Sequence, residues 1–458
     1  MASAPTASLP SQQRHDEFDT EVRALARQLA AVSGAGLRHP LRAAQSQGME
    51  LVSRDLALRT ALFRMVDVAP ACSGPVELAE HLAALLGEVG QQSAVVKAGG
   101  RAASWPATRR VTGGLAGGAI RRMAGRYIVG ETPAKAVPVL LGLWERGVAA
   151  SVDLLGEATV TQAQAQTYVA RCEQTLEVLA AAMGSWRGRP LLEVDAAGPL
   201  PRVNLSVKVT ALTPLVRPDA PERGRLDAAE HLRRLLRRAR DLGAHLHVDM
   251  ESVDAHELVL GLVLELLSEP EFRAGPSAGI VLQAYLRDAE QTLERVLSWA
   301  AGACREVPLT VRLVKGAYWD HEMIEAAQHG WTPPVWSEKA ESDRCFERAT
   351  MRLVQAFPLV RPAIASHNLR SLAHAVVCAR RAGLADGDLE LQVLRGLGDE
   401  LQDAIVAQGL RVRTYCPVGD LVAGMAYLVR RLLENSANDS FLAQQASGVD
   451  LDELLGAP

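Results

Sequence analysis

Two adjacent guanidinium groups, Arg430 and Arg431, lie in the stretch Tyr-Leu-Val-Arg-Arg-Leu-Leu-Glu at 427–434. A fork of permanently charged N–H donors matches a planar carboxylate, which one arginine can hold through two parallel bonds. On a helical repeat, Tyr427, Arg430, Arg431 and Glu434 fall at i, i+3, i+4 and i+7, along one side. Val429, Leu432 and Leu433 turn elsewhere, into packing. An arginine pair alone is more often the solvated face of an amphipathic helix. The phenol and carboxylate in line with it, together with a second set of polar residues upstream, favour a surface that grips a small anionic molecule.

That second set follows short apolar, β-branched runs. Ala149–Val152 leads to Asp153 and Glu157, Val203–Val207 to Lys208, and Ala244–Val248 to Asp249 and Glu251. Gly279–Ala284 carries Gln283 and is followed by Tyr285. Pro308–Val314 contains Arg312 and runs into Lys315-Gly316-Ala317-Tyr318-Trp319. Ala363–Ala365 precedes His367 and Asn368, Leu389–Val393 precedes Arg395, and Val412–Tyr415 ends on Tyr415. Cations and amides dominate, which suits anions and a large hydrogen-bonding ligand. No Ser/His/Asp arrangement and no G-x-S-x-G elbow is present to make a nucleophile. The rival reading is a zinc-dependent barrel hydrolase built on His245-Leu-His247, whose two imidazoles share one strand face. The arginines and lysines nearby would repel such a cation.

The elements that must position these groups are legible from periodicity. Helical patterns such as Thr161–Met183, Asp227–Leu242, Asp254–Leu267, Arg287–Ala303, Ser371–Ala382 and Glu400–Gln408 separate the apolar runs. Eight strand–helix units over roughly 300 residues predict an α/β chain folded as a (β/α)8 barrel, with its chemistry at the C-terminal strand ends. No GxGxxG follows the first run, which argues against an open dinucleotide-binding sheet. Phe18–Ala31, Met49–Val68 and Pro75–Leu86 read as helices, and the Gly/Ala/Arg-rich passage Gly99–Gly118 reads as a linker or extended arm. The expected division is a helical region over 1–98, a linker over 99–130, a barrel over 131–445 and a tail over 446–458.

Bulk properties narrow the classes. At 458 residues and 48% hydrophobic, the chain can bury a large core. A net charge of −4 and the lack of a long basic run argue against nucleic acid as a partner. The polar opening residues are no secretory signal, and Glu265 interrupts the most apolar segment, Leu258–Leu267. Six scattered cysteines without CxxC spacing fit a reduced cytoplasmic compartment.

Two long segments resemble a known family. Arg312-Leu-Val-Lys-Gly-Ala-Tyr-Trp-Asp320 and Tyr427-Leu-Val-Arg-Arg-Leu-Leu-Glu-Asn-Ser-Ala-Asn438 are similar to signatures of the flavin-dependent proline dehydrogenases. The likeness is strongest to the domain that begins the bifunctional bacterial proline-utilisation proteins. Ser151–Glu157, Leu205–Lys208, Val281–Tyr285, Ser366–Asn368 and Tyr415–Gly419 match in order over about residues 120–445. The resemblance implies a distorted barrel with FAD over the strand ends. It also implies oxidation of L-proline to Δ1-pyrroline-5-carboxylate by hydride transfer to flavin N5, then reoxidation by a quinone.

Residue by residue, the resemblance makes Arg430 and Arg431 the clamp on the proline carboxylate, with Lys208 and Asp249 in the same pocket. Tyr427 and Tyr415 wall the ring, and Glu157 pairs with Arg430 as a gate. Arg312 lies near flavin N5. The other expected flavin contacts are Gln283, Val314, Lys315, Gly316, Ala317, Trp319, Ser337, Lys339, His367, Asn368 and Glu434. No metal is expected. Departures from the family pattern are Ser436 for Gly, Arg395 for His, Ser337 for Thr, and Cys416 for a small residue. Proline and hydroxyproline both suit the ring walls. A pyrroline-5-carboxylate dehydrogenase, fused or separate, is the expected partner. The resemblance also allows a homo-oligomer and peripheral contact with the inner membrane.

Overall fold

The computed structural model describes residues 11–36, 71–88, 100–156, 158–420 and 449–458, with single positions at 61, 64, 65, 68 and 424. Eight parallel strands close into a barrel: β1 (Val148–Leu154), β2 (Asn204–Lys208), β3 (His245–Asp249), β4 (Ser277–Gln283), β5 (Leu309–Val314), β6 (Val360–Ala365), β7 (Glu390–Leu394) and β8 (Val412–Val418). Each pairs with the next, and β8 returns to β1 with Val148 opposite Val412 and Leu154 opposite Val418. Every apolar run read from the sequence falls on one of these strands, with ends displaced by a few residues. Helices cover the outside. Gln162–Met183 opens with a capping box in which Thr161 Oγ1 accepts from Gln164 N and Gln164 Oε1 accepts from Thr161 N.

The passage read as a linker is largely helical. Arg109–Tyr127 forms a helix, here α3, packed on α2 (Pro75–Glu88), while the leading helix α1 spans Ser11–Gly36. Its glycines suggested slack, but at least one of them serves close packing. A Cβ on Gly113 would lie 1.6 Å from Pro75 O, so only glycine lets the two backbones meet there. The alanines and arginines between are strong helix formers. Helix α1 belongs to the barrel's own core: Val22, Leu25, Ala26 and Leu29 are buried with it, and Arg370 is paired with Asp19 at 2.5 Å. The predicted helix Met49–Val68 lies mostly outside the described residues.

Barrels of this kind are usually filled by Val, Ile and Leu. Here the alternating inward positions bring Ser151, Asn204, Ser206, His245, His247, Arg312, Glu390, Gln392 and Arg413 inside, all buried. Gly279 leaves the room: a Cβ there would sit 2.3 Å from His247 Nδ1. Burial first, then the Arg413 charge, holds the His245 pKa down at about 3, and burial and Arg312 pull His247 well below its usual range. Burial and Arg370 lower His374 to about 4.

These histidines make the fold acid-sensitive. Each folded-state pKa is depressed, so the unfolded chain takes a proton near pH 6.5 while the folded chain does not. Stability present above that pH is therefore lost as pH falls towards 4, by about 1.4 kcal/mol per pH unit for each histidine. The urea midpoint is expected to drop clearly between pH 7 and pH 5. An unchanged midpoint would contradict this account.

Candidate active site

Arg312 on β5 reaches across the barrel. Its Nη1 donates to Asp249 Oδ1 on β3 at 2.7 Å and its Nε to Gln392 Oε1 on β7 at 2.7 Å. Nη2 approaches Ser206 Oγ at 3.2 Å and Ser151 Oγ at 3.3 Å. Its guanidinium carbon also lies 5.3 Å from the centre of the Tyr415 ring. Five neighbours thus hold one buried cation in a single orientation. Tyr415 OH donates to Asp249 Oδ2 at 2.7 Å, and Lys208 Nζ donates to Asp153 Oδ1 at 2.6 Å while standing 3.9 Å from Asp249 Oδ2. Lys208, Asp249, Arg312 and Tyr415, scattered over the chain, therefore form one connected group.

The surroundings of Lys208 and Tyr415 favour their protonated forms. Burial would depress the Lys208 pKa, but Asp153, Asp249 and Glu251 outweigh it and hold the ammonium above its ordinary range. Burial, with Asp153 and Asp249 beside it, pushes the Tyr415 phenol far up. Neither residue can serve as a base near neutral pH, and each keeps its proton as a donor.

Around the mouth lie the remaining candidates. Gln283 Nε2 donates to Glu251 O at 3.0 Å, while its buried Oε1 accepts from nothing among the described residues. Val314 is half-buried, and Gly316 and Ala317 are exposed. Trp319, 40% exposed, donates from Nε1 to Trp336 O at 2.8 Å. Ser337 Oγ accepts from Arg287 Nη2, and His367 Nε2 accepts from Leu394 N. Asn368 Oδ1 accepts from Ser371 N at 3.2 Å, capping the helix Leu369–Arg381. Lys339 and Asn368 converge on a cavity of ≈ 390 Å³ that Asp343, Arg370 and Glu453 also line. That volume is on the scale of small-molecule sites, roughly 300–1,000 Å³.

Some candidates stand apart. The Lys315 ammonium turns to Asp343 at 2.5 Å and lies over the Phe346 ring, away from Arg312. Arg395 is 3.6 Å from Asp399, and burial pushes the Cys416 thiol up to about 12. Glu157, Tyr427, Arg430, Arg431, Glu434 and Ser436 lie outside the described residues. The histidine pair of the zinc reading is not at the strand ends. His245 opens β3, its Nε2 is 3.1 Å from His247 Nδ1, and its Nδ1 is 2.8 Å from Ser277 Oγ. The ring nitrogens face one another, and no cluster of three metal-binding side chains occurs among the described residues.

Ser151, Ser206 and Gln392 were not singled out from the sequence, although they orient Arg312. Their signal was present in the period-two rows Ser206-x-Lys208 and Glu390-x-Gln392, which share a face with the strand-end residues.

Gly316 has φ +139°, and a Cβ added there would lie 2.4 Å from the Tyr285 ring. Gly316→Ala is expected to cost about 1–3 kcal/mol of strain and contact. The loss should show as a lower thermal midpoint together with weaker retention of any ligand at this mouth.

Comparison with known proteins agrees with this geometry. Residues 138–444 match the family described as proline dehydrogenase, and residues 19–127 match the proline utilization A N-terminal domain. The bifunctional protein PutA of Salmonella typhimurium is 34% identical over 348 residues, covering 74% of this chain and 25% of that one. The proline dehydrogenase of Deinococcus radiodurans is 26% identical, over 70% of this chain and 89% of its own length. Among solved structures, proline utilization A from Bdellovibrio bacteriovorus, inactivated by N-propargylglycine, superposes with a TM-score of 0.86 at 33% identity. That match covers 96% of this chain and 44% of the relative. This chain thus spans about a quarter of the curated bifunctional relatives. A barrel whose strand ends assemble Lys208, Asp249, Arg312 and Tyr415, matched over most of its length, places the chain in the proline dehydrogenase family of enzymes.

Proposed function

We propose that this chain oxidises L-proline to Δ1-pyrroline-5-carboxylate with FAD as resident cofactor and a quinone as final electron acceptor. The observation that carries the reading is the connected Lys208–Asp249–Arg312–Tyr415 group at the strand ends of a proline dehydrogenase barrel. The residues fit a flavin: Gln283 offers a buried acceptor with no partner among the described residues, Gly316 is exposed at the mouth, and Lys339 and Asn368 share a cavity. Together with Val314, Ala317, Trp319, Ser337 and His367 they would hold it. When bound, the flavin supplies a two-electron acceptor.

The chain's own groups do the rest. Arg312 presents a fixed cation where negative charge develops, and Asp249 and Gln392 keep it from reorienting. Arg430 and Arg431 clamp the proline carboxylate, Lys208 adds a third positive charge, and Tyr415 and Tyr427 close the ring's apolar sides. Glu157 gates the pocket through Arg430. Fixing the ring in this way supplies part of the barrier reduction by orientation alone. With Lys208 and Tyr415 locked in their protonated forms, proline reacts as its neutral amine.

The product passes to a pyrroline-5-carboxylate dehydrogenase, fused or separate. No helix among the described residues is long and apolar enough to cross a membrane. The family resemblance is what assigns quinone reduction to peripheral membrane contact.

The test is an absorbance spectrum of purified protein before and after anaerobic L-proline. Flavin bands that bleach support cofactor and substrate together. Bands that persist move the substrate to hydroxyproline or another amine, and protein that binds no FAD sinks the reading. N-propargylglycine, which inactivated the Bdellovibrio relative, is expected to inactivate this chain in a time-dependent manner.

A further inference from the structure

The end of the barrel opposite the active site is also charged. A two-residue hairpin, Val194–Asp195 with Gly198–Pro199, brings Asp195 to the N-terminal starts of β6 and β8. There Arg361 takes both Asp195 oxygens at 2.9 and 3.2 Å, and Arg413 takes both Glu390 oxygens at 2.9 and 3.0 Å. A third arginine, Arg411, is left over. It is 1% exposed, yet its Nη1 is 3.6 Å from Asp195 and its Nε 3.9 Å from Glu390, beyond hydrogen-bonding reach.

Arg411 Nε and Nη1, Arg361 Nη1 and His247 Nε2 have no hydrogen-bond partner among the described residues. All three residues line a cavity of ≈ 20 Å³, enough for one water-sized occupant. The charge count is three guanidinium groups against two carboxylates, and the two histidines beside them are held neutral by burial. A water would satisfy one or two N–H groups and leave the surplus charge buried. A small anion would satisfy both.

We propose that this cavity is a structural site for one monatomic anion of the chloride class, held by the side chains of Arg411 and Arg361. The size excludes phosphate or a carboxylate-bearing metabolite. The site communicates upward through Glu390, which accepts from Gln392 Nε2 at 2.7 Å, while Gln392 in turn accepts from Arg312. The proposal does not rest on the reaction assigned above.

Crystals of the intact protein grown in bromide and measured at the bromine edge test it directly. An anomalous peak between Arg411 and Arg361 is expected. Density there without an anomalous signal would identify a water and overturn the site. In solution, the thermal midpoint of the wild-type protein is expected to be about 2–4 °C higher in chloride than in gluconate at equal ionic strength. Arg411→Met should abolish that difference. A chloride-specific shift that survives in Arg411→Met would also overturn the assignment, and if that variant fails to fold the bromide experiment still decides.

Discussion

Arg312→Met is expected to slow anaerobic reduction of the bound flavin by L-proline by about 10²–10³-fold, the usual loss when one preorganised charge-stabilising donor is removed. The cation is buried, and five contacts hold it towards the strand ends. Its removal also takes from Asp249 its directly hydrogen-bonded ion-pair partner, leaving only Lys208 at 3.9 Å, already shared with Asp153, and the Tyr415 hydroxyl. Breaking a buried pair costs up to about 3–5 kcal/mol of stability. The double variant Arg312→Met/Asp249→Asn separates the two effects. It should recover most of the thermal midpoint while the reduction rate stays low. Recovery of the rate along with the stability would show that Arg312 is structural only. A shift in the flavin potential of the single variant is the second readout, because a scaffold residue would leave it unmoved.

The second large effect belongs to the substrate clamp. In Arg430→Met the KM for L-proline should rise by about 10²-fold with flavin retained. A hydrogen-bonded charge partner is worth roughly 1.5–3 kcal/mol, and each 1.4 kcal/mol is tenfold in affinity. The limiting rate should change far less than KM, since removing a contact made equally in ground and transition states acts on binding. A KM close to that of the unaltered protein would remove Arg430 from the carboxylate site. Arg430 and Arg431 lie outside the described residues, so the clamp stands on their spacing and on the family resemblance.

The two ends of the barrel differed in how plainly they could be read. At the active-site end, Lys208, Asp249 and Tyr415 close or follow an apolar run and Gln283 and Arg312 lie near the end of one, so a strand prediction exposes them as polar groups at strand ends. At the other end, Arg361, Glu390, Arg411 and Arg413 lie within or before the runs and look like interruptions of them. Nothing local says that Arg413 faces Glu390, because that pairing is made between β7 and β8 after the barrel closes. The glycines of the passage read as a linker misled in the opposite direction. Composition cannot separate a glycine that gives slack from one, like Gly113, that admits a neighbouring backbone.

The sequence by itself determined the repeat of strand and helix and the residues at the strand ends; the alignment of Tyr427, Arg430, Arg431 and Glu434 on a helical repeat is its expectation for residues outside those described. These follow from periods of 2 and 3.6 residues, which are properties of neighbours along the chain. Only the tertiary structure decided which of those groups meet. It joined Arg312 to Asp249 and Gln392, turned Lys315 away to Asp343, and set the two histidines below the site rather than in it. The reason is closure: in a barrel each inward side chain is placed by strands far apart in sequence, and the buried charges take whichever partners satisfy their hydrogen bonds.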